Sequence, residues 1–457
     1  MNHSSIDSQT QAEVQISDKI DEFFKRFRVV TALHRCGVKK RHGHTVGSLI
    51  KPIFSLPFMG KNFFRGIVIN DDLPFGKDAA YEVLKGARSN WRRLLLTIGV
   101  RLYRFFDRLT GDERESVFII DDSTYDRSRS KKVELLCRVK DHATGRFVRG
   151  FRMLTLCWSD GISCLPLDFA LLSSTDAAKR FYESFKVVDK RCCAYERRKE
   201  ATIKSTEHLA AMVKRALAAG IDASYILMDS WFAMPKTILA VSRFRPVICM
   251  VKKTPKVLYG YQDRRCDLTS LYRNLKKRRG RARILGSVIV TLSDEHKSKV
   301  VFVRDHRKKD WLALLSTDIH LPNEDVVRIY GKRWDIEVFF KMAKQHLRLI
   351  KEIQCRDYDA LIAHTSIVFM RFMFLTYRCR LEKDQRTFGD LFYACCDELS
   401  DISFIEALHR IIARATESIR AMGSFCEKTA RSLLDTIMEE ALAYVNLPKN
   451  TLALNKC

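Results

Sequence analysis

Residues 330–344 read YGKRWDIEVFFKMAK, and the pattern of this stretch is more specific than that of any other part of the chain. At about 100° per residue, a helix through it gathers five polar side chains within an arc of about 80°. They are Tyr330, Arg333, Glu337, Lys341 and Lys344. An apolar stripe about 60° wide lies beside them by the same arithmetic, and it comprises Ile329, Ile336, Phe340, Ala343 and Leu347. With no Gly or Pro after its start, the stretch predicts an unbroken helix that buries one edge and holds a charged row against a cleft. The alternative interpretation is a solvated face with Glu–Lys pairs four residues apart.

Carboxylates also follow two apolar strands predicted elsewhere in the chain. Asp121 and Asp122 come directly after Val117–Ile120, and Asp229 comes directly after Tyr225–Met228. Open α/β sheets place their reactive groups at the carboxyl ends of strands. Acidic residues also end strands as turn formers, so each of these positions alone is weak evidence for a site.

The composition indicates a globular protein that binds a polyanion. The chain has 457 residues, with 81 Lys and Arg against 54 Asp and Glu, a net charge of +27, and 46% hydrophobic residues. These values exclude fibrous and disordered classes and predict a cationic surface. The local motifs of nucleotide hydrolysis, dinucleotide redox chemistry and zinc proteolysis are absent, because no G-x-x-x-x-G-K-[ST], G-x-G-x-x-G or H-E-x-x-H occurs.

The cysteines and the first residues indicate the cellular compartment. The 14 cysteines are scattered, and none forms the C-x-x-C pair that structural zinc prefers, so reduced thiols are expected. The first thirty residues contain no apolar core before a cleavage site. We therefore expect a cytoplasmic protein.

Residue composition and predicted secondary structure divide the chain into six segments. Residues 1–19 are polar and predicted to be disordered, and 20–112 are predicted to form a helical domain that binds DNA, although plain packing is the alternative. Strands predominate in 113–252, and they include predicted strands over 132–139 and 247–251. One helix is predicted over 202–219 and another is opened by Pro235, and a β-rich insertion is predicted over 253–322. Residues 323–350 carry the helix quoted above, and 351–457 are taken as a helical C-terminal region.

One apolar stretch and one basic loop allow two interpretations each. Residues 360–377 are apolar enough to suggest a membrane helix, but His364 and Arg371 interrupt them, which favours a buried core helix. The basic loop contains Lys276, Lys277, Arg278 and Arg279. It is either a solvated face or a contact to phosphates, and the high net charge favours the contact.

The pattern Tyr-x2-Arg-x3-Glu-x6-Lys, made by Tyr330, Arg333, Glu337 and Lys344, resembles the signature of DDE transposases of bacterial insertion sequences, of the IS-four type. Asp-Ser-Trp-Phe at 229–232 is similar to the second catalytic block of that family, and Asp-Asp-Ser-Thr at 121–124 is similar to the first. The resemblance covers residues from about 115 to 350. It implies an α/β, RNase H-like mixed-sheet core with a β-strand insertion, an N-terminal DNA-binding domain and a helical C-terminal part.

The implied activity is cut-and-paste transposition of an insertion sequence. Hydrolysis and strand transfer would share one site, where two Mg²⁺ ions about 3.5 to 4 Å apart, or Mn²⁺ in their place, are held by carboxylates. The implied ligands are Asp121 or Asp122, Asp229 and Glu337. Both Asp121 and Asp122 fit the first block, and since adjacent strand residues point to opposite faces, only one should reach the metals.

The remaining residues of the resemblance would contact DNA. Arg333, Lys341 and Lys344 are expected to clamp phosphates, with Tyr330 donating a hydrogen bond to another. Trp311 is a hypothetical contact for a base flipped out of the duplex, although a strand tryptophan is more often core. The expected partners are double-stranded DNA, at the terminal inverted repeats and the target, and a second copy of the chain in a homodimer, with no membrane.

Two other functions remain open from the sequence. One is a catalytically silent derivative of a transposase that only binds DNA, against which the intact acidic positions argue. The other is a metal-dependent nuclease that shares the carboxylates and lacks strand transfer.

Overall fold

The computed structural model describes residues 15–381 except 41, 70–72, 110–113, 142–143, 185–187, 277–281, 293–295 and 306–309. The chain divides into two compact units, one of residues 22–57 and 61–391 and the other of residues 1–21, 58–60 and 392–457. The sheet and the site described below belong to the first unit. The predicted disorder of residues 1–19 is wrong for residues 15–19, which lie in a helix, and residues 1–14 lie outside the described residues. The predicted helices beyond residue 381 also lie outside them.

The segment before the sheet is helical, as predicted. Its helices are α1 (Gln15–Arg26), α2 (Val29–Arg35), α3 (Val46–Ser55), a π-helical turn (Phe64–Val68), α4 (Lys77–Leu84) and α5 (Trp91–Asp107). Asn90 caps α5, because its side-chain oxygen accepts a hydrogen bond from the backbone N–H of Arg93 at 2.9 Å. The buried side of α5, which includes Trp91 and Leu102, packs on α12 (Tyr358–Leu381) and on the sheet.

A mixed sheet forms the centre of the first unit. Its first six strands are β1 (Val117–Asp126), β2 (Cys137–Lys140), β3 (Phe147–Ser159), β4 (Cys164–Leu172), β5 (Tyr225–Met228) and β6 (Val247–Val251). β1, β5 and β6 run parallel in that spatial order, and β3 pairs antiparallel with β1, β2 and β4. Strands that are consecutive in sequence come first and helix crossovers follow, which matches the predicted α/β order.

Two strand predictions need correction. β1 was expected to end at Ile120 but continues to Asp126, so Asp121 and Asp122 lie within the strand rather than after it. A strand was expected over 132–139, but β2 begins only at Cys137. Leu135 has φ = +61°, a left-handed conformation that interrupts extended backbone.

The predicted β-rich insertion continues the same sheet. It contains β7 (Tyr259–Tyr261), β8 (Arg264–Cys266), helix α9 (Leu268–Asn274), β9 (Ile284–Thr291), β10 (Lys297–Asp305) and β11 (Asp310–Ser316). β11 pairs antiparallel with β6, and β10, β9, β7 and β8 follow outward. Within the described residues the sheet therefore has 11 strands.

Helices cover the sheet between and after these strands. They are α6 (Cys193–Ala201), α7 (Ser205–Ala218), α8 (Pro235–Ser242), α10 (Asn323–Gly331), α11 (Trp334–Gln345) and α12. The prediction of one helix over 202–219 found α7 and missed α6. No apolar stripe marks α6; its buried Arg198 instead bonds to Glu134 and to Asp359, which are distant in sequence.

The predicted unbroken helix over 330–344 is wrong. α10 ends at Gly331, and α11 begins at Trp334 after a turn in which the N–H of Arg333 donates to the carbonyl of Tyr330 at 3.0 Å. Glycine is a poor helix former, so an interruption at this point has a small energetic cost. Tyr330 thus belongs to one helix and Glu337 to the next. The residues predicted as an apolar stripe, such as Ile329 and Ile336, are buried as expected.

The apolar stretch 360–377 lies inside α12, which is long and apolar enough to cross a membrane but whose most apolar window is wholly buried within the protein. Arg371 in this helix forms two 2.8 Å bonds with Glu352 and donates to the carbonyl of Phe54 at 2.9 Å. A paired, hydrogen-bonded arginine of this kind is compatible with a buried core helix. The core-helix interpretation is therefore confirmed.

Candidate active site

Two carboxylates lie on neighbouring parallel strands. The β1–β5 register places Ile120 opposite Met228, so Asp121 and Asp229 follow at the next position of each strand. β5 ends there while β1 continues for six residues paired only with β3 on its other side. The end of β5 therefore leaves an open edge of β1, and the two carboxylates lie where that opening begins.

Helix α11 covers the face of β1 that carries Asp121. Nη1 of Arg333 lies 3.0 Å from an Asp121 carboxylate oxygen, and Nη2 of the same guanidinium donates to Glu337. Lys344 donates to the hydroxyl of Ser123 at 2.6 Å. Because Asp121 and Ser123 are two apart in a strand, they share a face. The polar side chains of 330–344 therefore lie against β1, and Arg333 joins Asp121 to Glu337.

Asp122 points to the opposite face of the sheet. Both of its carboxylate oxygens accept hydrogen bonds from Nη1 of Arg152 at 2.9 Å. Arg152 is on β3, 30 residues away in the sequence. The two adjacent aspartates thus have different partners, and only Asp121 lies beside the stripe of α11.

Burial controls the electrostatics of Asp121. Removal from water raises the pKa of Asp121 to about 7, the nearby Arg333 opposes this effect, and the negative charges of Asp122 and Asp229 add to it. Burial likewise raises the pKa of Tyr330, whose hydroxyl is buried and has no hydrogen-bond partner among the described residues. Arg333, whose guanidinium carbon lies 5.8 Å from the centroid of the Tyr330 ring, opposes that shift, and the charges of Asp229 and Asp121 add to it.

The acidic side chains of the site carry the oxygen ligands that a hard cation prefers, but they are not grouped closely enough to hold one. Asp121, Asp229 and Glu337 offer only carboxylate oxygens, the ligands that Mg²⁺ prefers. Among the described residues, however, no three His, Cys, Asp or Glu side chains are grouped so that they could hold a metal ion. The guanidinium of Arg333 instead occupies the position between Asp121 and Glu337.

Two residues near the site have contacts that the sequence did not reveal. Trp231, two residues after Asp229, is 47% exposed, with the guanidinium of Arg152 5.6 Å and the ammonium of Lys252 4.7 Å from its ring centroid. Trp231 belongs to the Asp-Ser-Trp-Phe motif at 229–232, but no role was predicted for this tryptophan. Nothing in the sequence around Arg152 predicted its contact with Asp122, because β3 brings Arg152 there from a distant part of the chain.

Trp311 lies on β11 of the insertion. Its ring stacks on Tyr272 with the centroids 4.5 Å apart and meets Phe302 edge-on at 5.1 Å. The ammonium of Lys253 lies 3.9 Å from the centroid of Trp311. This packing is the core-like environment that was the alternative for Trp311, and its contact with a base stays a prediction.

The other predicted DNA contacts are at the surface or outside the described residues. Lys341 on α11 is exposed, and Lys276 is exposed after α9. Lys277, Arg278 and Arg279 lie outside the described residues, so the basic loop stays a prediction.

Two acids, Asp121 and Asp229, thus follow the last paired residues of neighbouring parallel strands, and a third, Glu337, bonds the same guanidinium as Asp121. The model of the family described as DDE superfamily endonuclease matches residues 69–313, more than half of the chain. The chain therefore belongs to the DDE superfamily endonucleases, and its fold is consistent with an RNase H-like DDE fold. No curated protein matches the chain.

Membership of this family supports a transposase or nuclease function on a DNA substrate, and nucleases of the superfamily generally use divalent metals. The matched segment includes Asp121 and Asp229 and ends before α10. Glu337 and the rest of the Tyr-Arg-Glu-Lys pattern lie beyond it, so the IS-four type is treated below as a proposal.

Proposed function

We propose that the protein is a DNA transposase of the IS-four type that cuts at the terminal inverted repeats of its own element and joins the 3′ ends to target DNA. Two observations support this proposal: Asp121 and Asp229 directly follow the last paired residues of adjacent parallel strands, and Arg333 joins Asp121 to Glu337.

Asp121, Asp229 and Glu337 would hold the divalent cations, two Mg²⁺ ions with Mn²⁺ as a substitute. When bound, such ions supply a Lewis acid for the phosphoryl oxygen and lower the pKa of an attacking water or 3′-hydroxyl. We assign the first ligand to Asp121 rather than Asp122, because Asp122 is held by Arg152 on the other face. The chain itself positions the acids through the β1–β5 register and through α11.

The cations of α11 would place the DNA strand at this site. Lys341 is exposed, and burial lowers the pKa of Lys344, which reduces the cost of moving its ammonium to a phosphate. The buried, unpartnered hydroxyl of Tyr330 is a donor that lacks an acceptor, as expected of a group that bonds a phosphate only in the complex. Arg333 would clamp a further phosphate.

Further parts of the proposal concern the rest of the protein. The basic loop at 276–279 and Trp311 in the insertion would extend the DNA contact away from the acids. The helices of residues 20–112 would bind the terminal repeats, and two copies would pair the ends as a homodimer. This work on DNA would take place in the cytoplasm.

A metal-dependent nuclease without strand transfer is the second candidate, since the matched family is described as an endonuclease. Precut DNA ends with free 3′-hydroxyls, incubated with the protein, Mg²⁺ and supercoiled target, separate the two. We expect joined product, because hydrolysis and strand transfer make the same demands on one site. Cleavage of uncut ends without any joining of precut ends would support the nuclease, and neither reaction would support a silent DNA-binding derivative.

A further inference from the structure

The guanidinium of Arg333 lies between two of the carboxylates that would hold a divalent cation. It bonds an oxygen of Asp121 at 3.0 Å and an oxygen of Glu337 four residues further on, and its side chain is only 16% exposed. A cation held against both carboxylates repels a second cation at short range. Bound arginine and bound metal therefore compete at Asp121 and Glu337.

The position of Arg333 in the chain allows it to leave. It lies in the turn between α10 and α11, outside both helices. A bidentate phosphate contact can replace its bonds to the two acids without leaving the charge unpaired. The next residue, Trp334, is 63% exposed, so the turn reaches the surface of the protein.

We propose that Arg333 is an exchangeable counter-ion that couples the binding of DNA to the binding of metal. In the free protein it neutralises Asp121 and Glu337 and competes with divalent cations. A DNA phosphate takes the guanidinium, and the two carboxylates then become available. The inference rests on the proposed function, because it assumes that these acids are the metal ligands.

Linkage makes the coupling reciprocal and measurable. If DNA removes the competing group, DNA tightens metal binding by the same factor by which metal tightens DNA binding, and couplings of this kind are typically about 5- to 150-fold. A structural role for Arg333 would produce the opposite result, since its loss would loosen the two acids and weaken metal binding. The sign of the change on removing Arg333 therefore separates the two roles.

The experiment titrates the full chain with Mn²⁺ and follows free Mn²⁺ by electron paramagnetic resonance, with and without a short DNA duplex at low salt. For the unaltered protein we expect the duplex to tighten Mn²⁺ binding about tenfold or more. Arg333→Gln is expected to bind Mn²⁺ more tightly than the unaltered protein without DNA, and to lose most of the effect of the duplex. Arg333→Lys should be intermediate, because an ammonium cannot bond both acids in the planar geometry of arginine.

Lys332→Gln is the matched control. It removes a positive charge from the same turn, but Lys332 pairs with Glu115 rather than with Asp121 or Glu337. Its affinity for Mn²⁺ without DNA should stay near that of the unaltered protein, and an increase equal to that of Arg333→Gln would overturn the proposal in favour of general electrostatics.

The proposal and the function it rests on can fail separately. If Glu337→Gln loses Mn²⁺ binding but Arg333→Gln and Arg333→Lys, with unchanged circular dichroism, do not tighten it, the counter-ion exchange is wrong and the metal site stands. If Glu337→Gln and Asp229→Asn bind Mn²⁺ as the unaltered protein does, both are wrong.

Discussion

Replacing Asp229 by Asn or Glu337 by Gln is expected to reduce DNA cleavage at the element ends by about 10³-fold or more. Each change keeps the size of the side chain but removes the charged oxygens needed for a divalent cation, and metal-assisted charge stabilisation supplies several kcal/mol of the rate enhancement, at about 1.4 kcal/mol per factor of ten. The measurement is the rate of strand cleavage on a labelled end in Mg²⁺. Binding of that end, measured by mobility shift, should persist, because the phosphate contacts lie on other residues.

The matched control is Glu324→Gln, on the exposed first turn of α10. It removes one carboxylate from the same region of the chain and should leave the cleavage rate within a few fold. Retained Mg²⁺-dependent cleavage in both Asp229→Asn and Glu337→Gln would remove these residues from the site.

Asp121→Asn is expected to abolish cleavage to a similar extent, whereas Asp122→Asn should keep most of it. Asp121 faces Arg333 and α11, whereas both carboxylate oxygens of Asp122 accept hydrogen bonds from Arg152. Losing the Asp122 charge should instead reduce the free energy of unfolding by about 1 to 3 kcal/mol, since it leaves a partly buried arginine underpaired. Cleavage rates and thermal unfolding of the two variants, measured side by side, distinguish a chemical effect from a structural one.

The opposite pattern would reassign the first ligand. If Asp122→Asn is inactive yet melts like the unaltered protein, and Asp121→Asn still cleaves, the face of β1 that carries Asp122 is the reactive one. Arg152 would then be the competing group.

The strongest local patterns of the sequence predicted their elements well. Tyr225–Met228 and Val247–Val251 are strands within the predicted bounds, since each is a short apolar run between turn residues. Pro235 opens α8 because proline is favoured in a first helical turn. The apolar stripe around Glu337 is buried and the neighbouring polar stripe lies against β1, so periodicity alone predicted which side of α11 meets the proposed site.

What the sequence could not predict depends on contacts between distant segments. The choice between Asp121 and Asp122 is made by Arg333 and Arg152, which arrive from 212 and 30 residues away. The length of β1 is set by its pairing with β3, which continues after β5 has ended. The break at 332–333 follows a single glycine in an otherwise good helical pattern, and helices often tolerate one.

If Asp121, Asp229 and Glu337 hold one divalent-cation site, iron-directed cleavage of the polypeptide will show it. Fe²⁺ replaces Mg²⁺ in the protein bound to DNA, ascorbate and peroxide generate radicals at the bound ion, and the cut positions are read by mass spectrometry. We expect cuts close to residues 121, 229 and 337 in the same sample, all suppressed by excess Mg²⁺. Cuts that cluster elsewhere, or that surround only one of these residues, would rule out a shared site.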